Sequence, residues 1–390
     1  MFIEGVSMLL AKAFQDHPLY AGQESSTRYL DFSCQPMIDP IGVKESGAIQ
    51  ARWMSVYNDT LPKLIAALMA RHPFDPETGK SESAWRRAIE ARAFDISRSL
   101  LPLGTATFLS WHTNLRQARD KLRALVNHPL AEVRDMAARV HAALRNRYSH
   151  SFRETDMTVR DERQSWADAG CIKDHILVPE ALEAMLGAEM TAKAVHEGFA
   201  FDDRLMDIDA VNAELTNIGT PRPKGAPLPR RMTAFGQYRA AFLLDFGSFR
   251  DIQRHRNGWV PIPLVDGRFG FHRWYADALT DLLGADAERI HRVITEQYAA
   301  INALAADLPD KQYLHPMGTA CLCTLAVSLP QAVYIAELRS QSTVHPSLRP
   351  IAQRIAREVG ARHPDLMLFA DMSVDSWSLA RGDQTIEERK

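Results

Sequence analysis

An internal repeat constrains this chain more than any other feature. Residues 101–107 read LPLGTAT and residues 315–321 read HPMGTAC, so a shared Pro-x-Gly-Thr-Ala core recurs at an offset of 214. Farther on, AEVRDMAARV (131–140) is echoed by SLRPIAQRIAREV (347–359), where Arg134, Ala137 and Arg139 match Arg349, Ala352 and Arg354 at an offset of 215. His128-Pro129 and His345-Pro346 fall just before these, at an offset of 217. Ordered matches of this kind point to two homologous units, 1–150 and 200–390, joined by a connector at 151–199.

Both units read as mainly helical. Apolar residues recur at three-and-four spacing through Trp53, Met54, Tyr57, Leu61, Leu64, Ile65 and Leu68. The same spacing links Val133, Met136, Ala137, Val140 and Leu144. It returns in Ile290, Val293, Ile294, Ile301 and Leu304, and in Leu348, Ile351, Ile355 and Val359. Each stripe places one apolar face on a core. The best strand signal is the alternation over Tyr238–Phe246. The expected fold is therefore α+β and helix-rich, each unit carrying a small antiparallel or mixed sheet flanked by long helices. Gly219–Arg231 (GTPRPKGAPLPRR) is rich in proline, glycine and basic residues and reads as a loop. Residues 151–175 are polar and weakly periodic and read as connecting chain.

Composition narrows the function. There are 46 basic and 48 acidic residues, so the net charge is −2, and no global field draws nucleic acid or an anionic membrane. The 46 basic residues include 10 lysines, leaving 36 arginines, the side chain suited to two-pronged binding of phosphate or carboxylate. Four cysteines (Cys34, Cys171, Cys321 and Cys323) are too few for a disulfide framework, and the last two sit in an apolar run where packed thiols are expected. Histidines do not pair at metal-ligand spacing, and His72, His128, His345 and His363 precede proline and mark turns. No apolar run reaches the roughly 20 residues of a membrane span, and MFIEGVSMLLAKAF carries Glu4 and no cleavage signal. A cytoplasmic protein without membrane, nucleic-acid or metal partners is the expectation.

Three polar clusters stand out. Gln23-Glu24-Ser25-Ser26-Thr27-Arg28-Tyr29 gathers a carboxylate, hydroxyls and a guanidinium, and reads as a ligand-binding run or as a turn or helix cap. Arg254-His255-Arg256-Asn257-Gly258 follows the strand and reads as an anion-binding loop or an exposed basic turn. Arg98-x-x-Leu101-Pro102-Leu103 precedes Asn114, Arg116, Arg119 and Arg123, a basic helix stripe that either meets ligand or faces solvent.

Taken together these residues resemble the flavin-dependent thymidylate synthase (ThyX) family, over about two-thirds of the chain. That family carries RHRxxSxNExSxR, then RxxLPL leading into a helix with N-x-R and an arginine at its end. Here the signature is split. In the first unit, Gln23 to Tyr29 resembles NExSxRY with glutamine for asparagine. Asp16-His17-Pro18 stands where RHR would be, and Ala21 replaces the first serine. Arg98, Thr107, Asn114 and Arg116 fall on family positions, Asp120 replaces an asparagine, and Arg123 approximates the terminal arginine. In the second unit, Arg254, His255 and Arg256 are intact, NGWVPIPLVD has lost ExSxR, Ser328 and Pro330 stand at N-x-R, and Arg339 keeps the terminal place. The first unit also lacks the family's opening strand and helix.

The resemblance implies an FAD-dependent methyl transfer from methylenetetrahydrofolate to a pyrimidine nucleotide such as dUMP, with NADPH as reductant. It implies a homodimer acting as a pseudo-tetramer, because the family is homotetrameric with sites between subunits. The complementary losses imply a composite site. Arg254, His255, Arg256, Asn114 and Arg116 would hold the flavin. Gln23, Glu24, Ser26, Arg28, Arg98 and Arg339 would hold the nucleotide, with Ser26, Arg28 and Arg339 nearest the chemistry. A flavoprotein with a changed substrate and a non-catalytic descendant binding a nucleotide or a partner are the alternatives.

Overall fold

The computed structural model describes residues 1–78, 81–157 and 175–374. Cys171 and most of the polar stretch 151–175 lie outside the described residues. The chain divides into two compact units: Met1–Leu68, Ala93–Ala181 and Pro261–Cys321 form the first, and Met69–Arg92, Leu182–Val260 and Leu322–Lys390 the second. Packing thus assigns residues 261–321, late in the sequence, to the first unit.

In the first unit β1 (Phe2–Ser7) pairs antiparallel with β2 (Ala106–Ser110), with a register shift at Gly5. Helix α1 (Met8–Gln15) follows β1 at once, because the Ser7 hydroxyl accepts the Leu10 N–H at 3.0 Å and starts the helix. Every residue of α1 is buried, including Lys12. The helix packs on β2 and on α5 (Ala131–Arg147), and the unit also holds α2 (Lys44–Arg71), the end of α3 (Glu82–Ser97) and α4 (Leu115–Leu125), with α6 (Pro179–Leu186) beginning as this unit ends. The second unit completes α6 and adds α7 (Ala188–Glu197), β3 (Phe199–Met206), α8 (Ile208–Ile218), β4 (Gly236–Asp245) and α9 (Phe246–Ile252). Helices α6 and α7 fall in what reads from sequence as connector. The chain then returns to the first unit for α10 (Arg273–Leu283), α11 (Ala285–Ala303) and α12 (Leu308–Lys311). It ends in the second unit with most of β5 (Ala320–Val327), α13 (Leu329–Arg339) and α14 (Arg349–Arg362). The second sheet has strand order β3-β4-β5. The molecule is α+β, helix-rich, with two small antiparallel sheets.

All four periodic stretches form helices: α2, α5, α11 and α14. The expected strand stops one residue early, since Asp245 accepts the Ser248 N–H at 2.8 Å and turns Phe246 into the first residue of α9. No helix among the described residues is long and apolar enough to cross a membrane. Cys321 and Cys323 are buried thiols on β5, and burial pushes the Cys323 thiol well up.

The two Pro-x-Gly-Thr segments lie side by side within the first unit. Leu103 N–H donates to His315 O at 2.9 Å, and Met317 N–H to Leu101 O at 2.8 Å. Gly104 N–H donates to Tyr313 O at 2.8 Å, and Gly318 N–H to Ser99 O at 2.9 Å. The offset of 214 converts each bond of a pair into the other, since 103 + 214 = 317 and 315 − 214 = 101. The glycines are required by the closeness of this pairing. A Cβ on Gly104 would come within 2.4 Å of Ile38 O, and one on Gly318 within 2.4 Å of a Phe271 ring carbon.

Candidate functional site

The polar run 23–29 is neither a helix cap nor a free loop. It lies along β2: Ser110 N–H donates to Gln23 O at 2.7 Å, and Ser25 N–H to Phe108 O at 3.2 Å. The Ser25 and Thr107 hydroxyls meet at 2.6 Å. Glu24 turns inward, where Lys12 Nζ lies 2.7 Å away and Gln15 Nε2 donates at 3.0 Å. The Lys12 and Glu24 side chains are 0% and 3% exposed, so this ion pair is wholly desolvated. Ser26 is half-buried, and its carbonyl accepts the Tyr29 and Leu30 N–H groups. Arg28 grips the fully buried Asp95 with two bonds, Nε to Oδ1 at 2.7 Å and Nη2 to Oδ2 at 3.1 Å. Arg98 is buried and donates to the Tyr275 hydroxyl at 3.3 Å.

Sequence reading missed Lys12, Gln15, Asp95 and Tyr275. Lys12 carried a usable signal, a lone cation inside the apolar run MLLAKAF.

Asn114 is the N-cap of α4 and accepts the Gln117 N–H at 2.9 Å. Arg116 is exposed, and with Leu115, Arg119, Asp120 and Ser151 it lines a cleft of about 390 Å³. Arg119 pairs with Asp156, whose carboxyl sits at about 2; burial opposes that shift, and the Arg119 hydrogen bond and charge more than offset it.

In the second unit α9 delivers the Arg254-His255-Arg256 turn. The His255 ring is buried, with Nε2 accepting from Arg339 Nε at 2.8 Å and Nδ1 3.4 Å from Gln331 Nε2. Burial, then the Arg339 charge, lowers its pKa to about 3, so the imidazole is neutral and can accept that hydrogen bond. Arg339 Nη2 also donates to Asp251 O at 2.8 Å, tying the end of α13 to the end of α9. Arg254 is exposed and Arg256 half-buried. The stretch after the turn has become a clamp: Trp259 and Ala326 exchange backbone hydrogen bonds of 2.9 Å, and a Cβ on Gly258 would strike Ala326 O at 2.7 Å. Beside this cluster lies a cleft of about 660 Å³ lined by Arg230, Gln237, Asn257, Ser328 and Gln331 among others.

The expected site residues thus form two sets. Gln23, Glu24, Ser26, Arg28, Arg98, Asn114 and Arg116 belong to the first unit, and Arg254, His255, Arg256 and Arg339 to the second.

At the 214 offset of the Pro-x-Gly-Thr segments, helices α4 and α13 align end to end. Both have 11 residues, and their N-caps, Asn114 and Ser328, differ by 328 − 114 = 214. Arg339 therefore corresponds to the buried Leu125, and Arg123 to Glu337. The first unit has no arginine at the helix's terminal place. Lys121 instead reaches from α4 to Asp16 O at 2.7 Å, at the end of α1. Burial lowers the Lys121 pKa to about 8. No group of three or more metal-ligating side chains occurs among the described residues.

Residues 1–148 match a family model described as thymidylate synthase complementing protein. That segment is similar to the family, and the rest of the chain lies outside the match. A UPF0159 protein of Chlamydia muridarum is 24% identical over 414 residues, covering 95% of this chain and 77% of its own. A UPF0159 protein of Thermoplasma acidophilum is 23% identical over 447 residues, covering 100% and 87%. One from Chlamydia pneumoniae is 23% identical over 407 residues, covering 94% and 75%. No solved structure matches. The family match covers the segment holding Glu24, Ser26, Arg28, Arg98, Asn114 and Arg116.

Proposed function

We propose that this chain is a flavoprotein of the thymidylate synthase complementing type that transfers a one-carbon unit reductively to a pyrimidine nucleotide such as dUMP. FAD is its cofactor, and methylenetetrahydrofolate and NADPH are its co-substrates. The two Pro-x-Gly-Thr segments belong to tandem copies of one ancestral unit, at 1–150 and 200–390, and two chains form a homodimer. The reciprocal hydrogen bonds between those segments support the duplication.

The observation that carries the reading is the His255 cluster. A neutral imidazole braced by Arg339 and Gln331 stands beside a cleft whose named lining includes Arg230 and amide and hydroxyl groups but no carboxylate. That donor set fits an anionic cofactor, and Arg254, His255 and Arg256 are the residues to hold it. The resemblance assigns Asn114 and Arg116 to flavin as well. When bound, the flavin would supply the reducing electrons. The protein's own part is placement and charge. Gln23, Glu24 and Arg98 position the nucleotide, and Ser26, Arg28 and Arg339 stand nearest the reacting end. Arginines there stabilise negative charge as it develops.

Two measurements test this. The purified protein should be yellow with stoichiometric flavin, and it should release tritium from ring-labelled dUMP when given the folate and reductant. A colourless protein that takes up no added flavin refutes the reading. One observation favours a second reading, a nucleotide-binding descendant without catalysis: Glu24 and Arg28 are both engaged with buried partners, Lys12 and Asp95. Under that reading dUMP binds and no tritium is released.

A further inference from the structure

We infer that the cleft at the start of α13 binds a diphosphate group and that Arg230 is its anchoring cation, standing in for an arginine that the first turn of this helix lacks. The inference rests on the flavoprotein reading and adds a residue to it.

The comparison with α4 sets the problem. There, Arg116 supplies a cation and Asn114 caps the Gln117 N–H. At the corresponding places α13 has Pro330, which carries neither charge nor N–H, and Ser328, which makes no side-chain cap. The first turn of α13 therefore ends uncapped in the cleft, where Ser328, Pro330 and Gln331 are lining residues. An uncapped helix N-terminus favours an anion, but without a side-chain cation it holds one weakly.

The cation comes from another part of the chain. The Pro/Gly-rich stretch 219–231 ends in a short 3₁₀ turn, Arg230–Phe235. Met232 is completely buried, and its N–H bonds Pro229 O at 3.0 Å, which pins the turn. Arg230 is exposed, lines the cleft, and makes no hydrogen bond or ion pair with any described residue. Its neighbour Arg231 is already paired with Glu214. Thr233, Gln237, Asn257 and Gln331 add neutral polar groups around it. A volume of about 660 Å³ is in the range of nucleotide-sized pockets and larger than one phosphate needs. A guanidinium, an open helix end and amide donors, with no carboxylate among the lining residues, select a polyphosphate over a neutral or cationic ligand.

Calorimetric titration of the full chain with ADP and with FAD tests this, beside Arg230→Ala, Arg230→Lys and Arg231→Ala. Wild type and Arg231→Ala should bind both probes. Arg230→Ala should weaken both by about ten- to a hundred-fold, the loss expected for one charge-assisted contact, and Arg230→Lys should recover part. Because Arg230 is exposed, the thermal midpoint of Arg230→Ala should equal that of wild type. Unchanged ADP affinity in Arg230→Ala, or no ADP binding by wild type, overturns the inference. If ADP binds through Arg230 while the protein takes up no flavin, this site stands and the flavoprotein reading falls. If flavin is retained equally by wild type and Arg230→Ala, the reading stands and this site falls.

Discussion

Arg28 offers the sharpest test of how the polar run is held. Its guanidinium makes two bonds to Asp95, whose side chain is 0% exposed, while its own side chain keeps 14% of its surface. The two single substitutions should therefore differ. Arg28→Ala leaves a buried carboxylate without its bidentate partner, which costs about 3–5 kcal/mol. Asp95→Asn keeps the shape and leaves a guanidinium with some access to water, at a cost nearer 1–3 kcal/mol. The double variant removes both charges and should cost at least ~1 kcal/mol less than the sum. Urea unfolding followed by circular dichroism measures all three. On the proposed function the same brace aims the guanidinium, and Arg28→Ala should also lose nucleotide affinity. If Arg28→Ala unfolds at the wild-type urea midpoint, or the two single effects simply add, the buried-brace argument is wrong.

Other consequences can be checked in the same assay. Gly318→Ala should destabilise by about 1–3 kcal/mol, because its Cβ would lie 2.4 Å from the Phe271 ring and 2.7 Å from Ser99 Cβ. Gly47→Ala on α2, where nothing lies within 4 Å, should instead stabilise by about 0.5–1 kcal/mol. His255 has its folded pKa lowered to about 3 from 6.5, so the unfolded state binds the proton first as pH falls. Stability from this group is complete above pH 6.5 and is lost towards pH 3; His255→Gln should flatten that part of the stability–pH curve. Lys121 has its folded pKa lowered to about 8 from 10.5, so the unfolded state holds more protons across that interval and stability should rise with pH through it. Lys121→Met should abolish the rise.

How much of this was legible in sequence depended on whether a residue's partner was close in the chain. The four helical stripes, the α+β class and the run from β4 into the Arg254–Arg256 turn follow from local periodicity and capping, and all are present. The end of β4 was misplaced by one residue because alternation continues through Phe246 while the Asp245 cap overrides it. What stayed hidden was pairing across distance. Nothing local says that Glu24 faces Lys12, that Arg28 grips Asp95 67 positions away, or that His255 accepts from Arg339 84 positions away. Nor does sequence distinguish Arg230 from Arg231, since only packing shows that Glu214 neutralises the second. Compact units are likewise invisible to a repeat, which assigned residues 261–321 to the second half although they pack with the first.

On the duplication proposed above, the pattern of retention and loss between corresponding positions has a physical logic. Positions that fix backbone keep their chemistry. Gly104 and Gly318 both sit where a Cβ cannot fit, Ser7 and Asp245 both start a fully buried helix, and α4 and α13 keep equal length. Side chains that do not fix the backbone differ: Asp16 against Arg254, Arg116 against Pro330, and the buried Leu125 against the partly buried Arg339. Yet in each unit a cation still reaches a carbonyl at the end of the buried helix, Lys121 to Asp16 and Arg339 to Asp251. That bond is therefore better explained by structure than by ligand. Arg339 goes further and also donates to the neutral His255 ring, whereas Lys121 donates to Asp16 O. Arg339→Lys should accordingly preserve much of the helix tie, because an ammonium can still donate to Asp251 O, while disturbing the His255 ring, because it lacks the guanidinium's fixed fork. A variant that folds as wild type but loses its ligand would place the functional role of Arg339 at the imidazole.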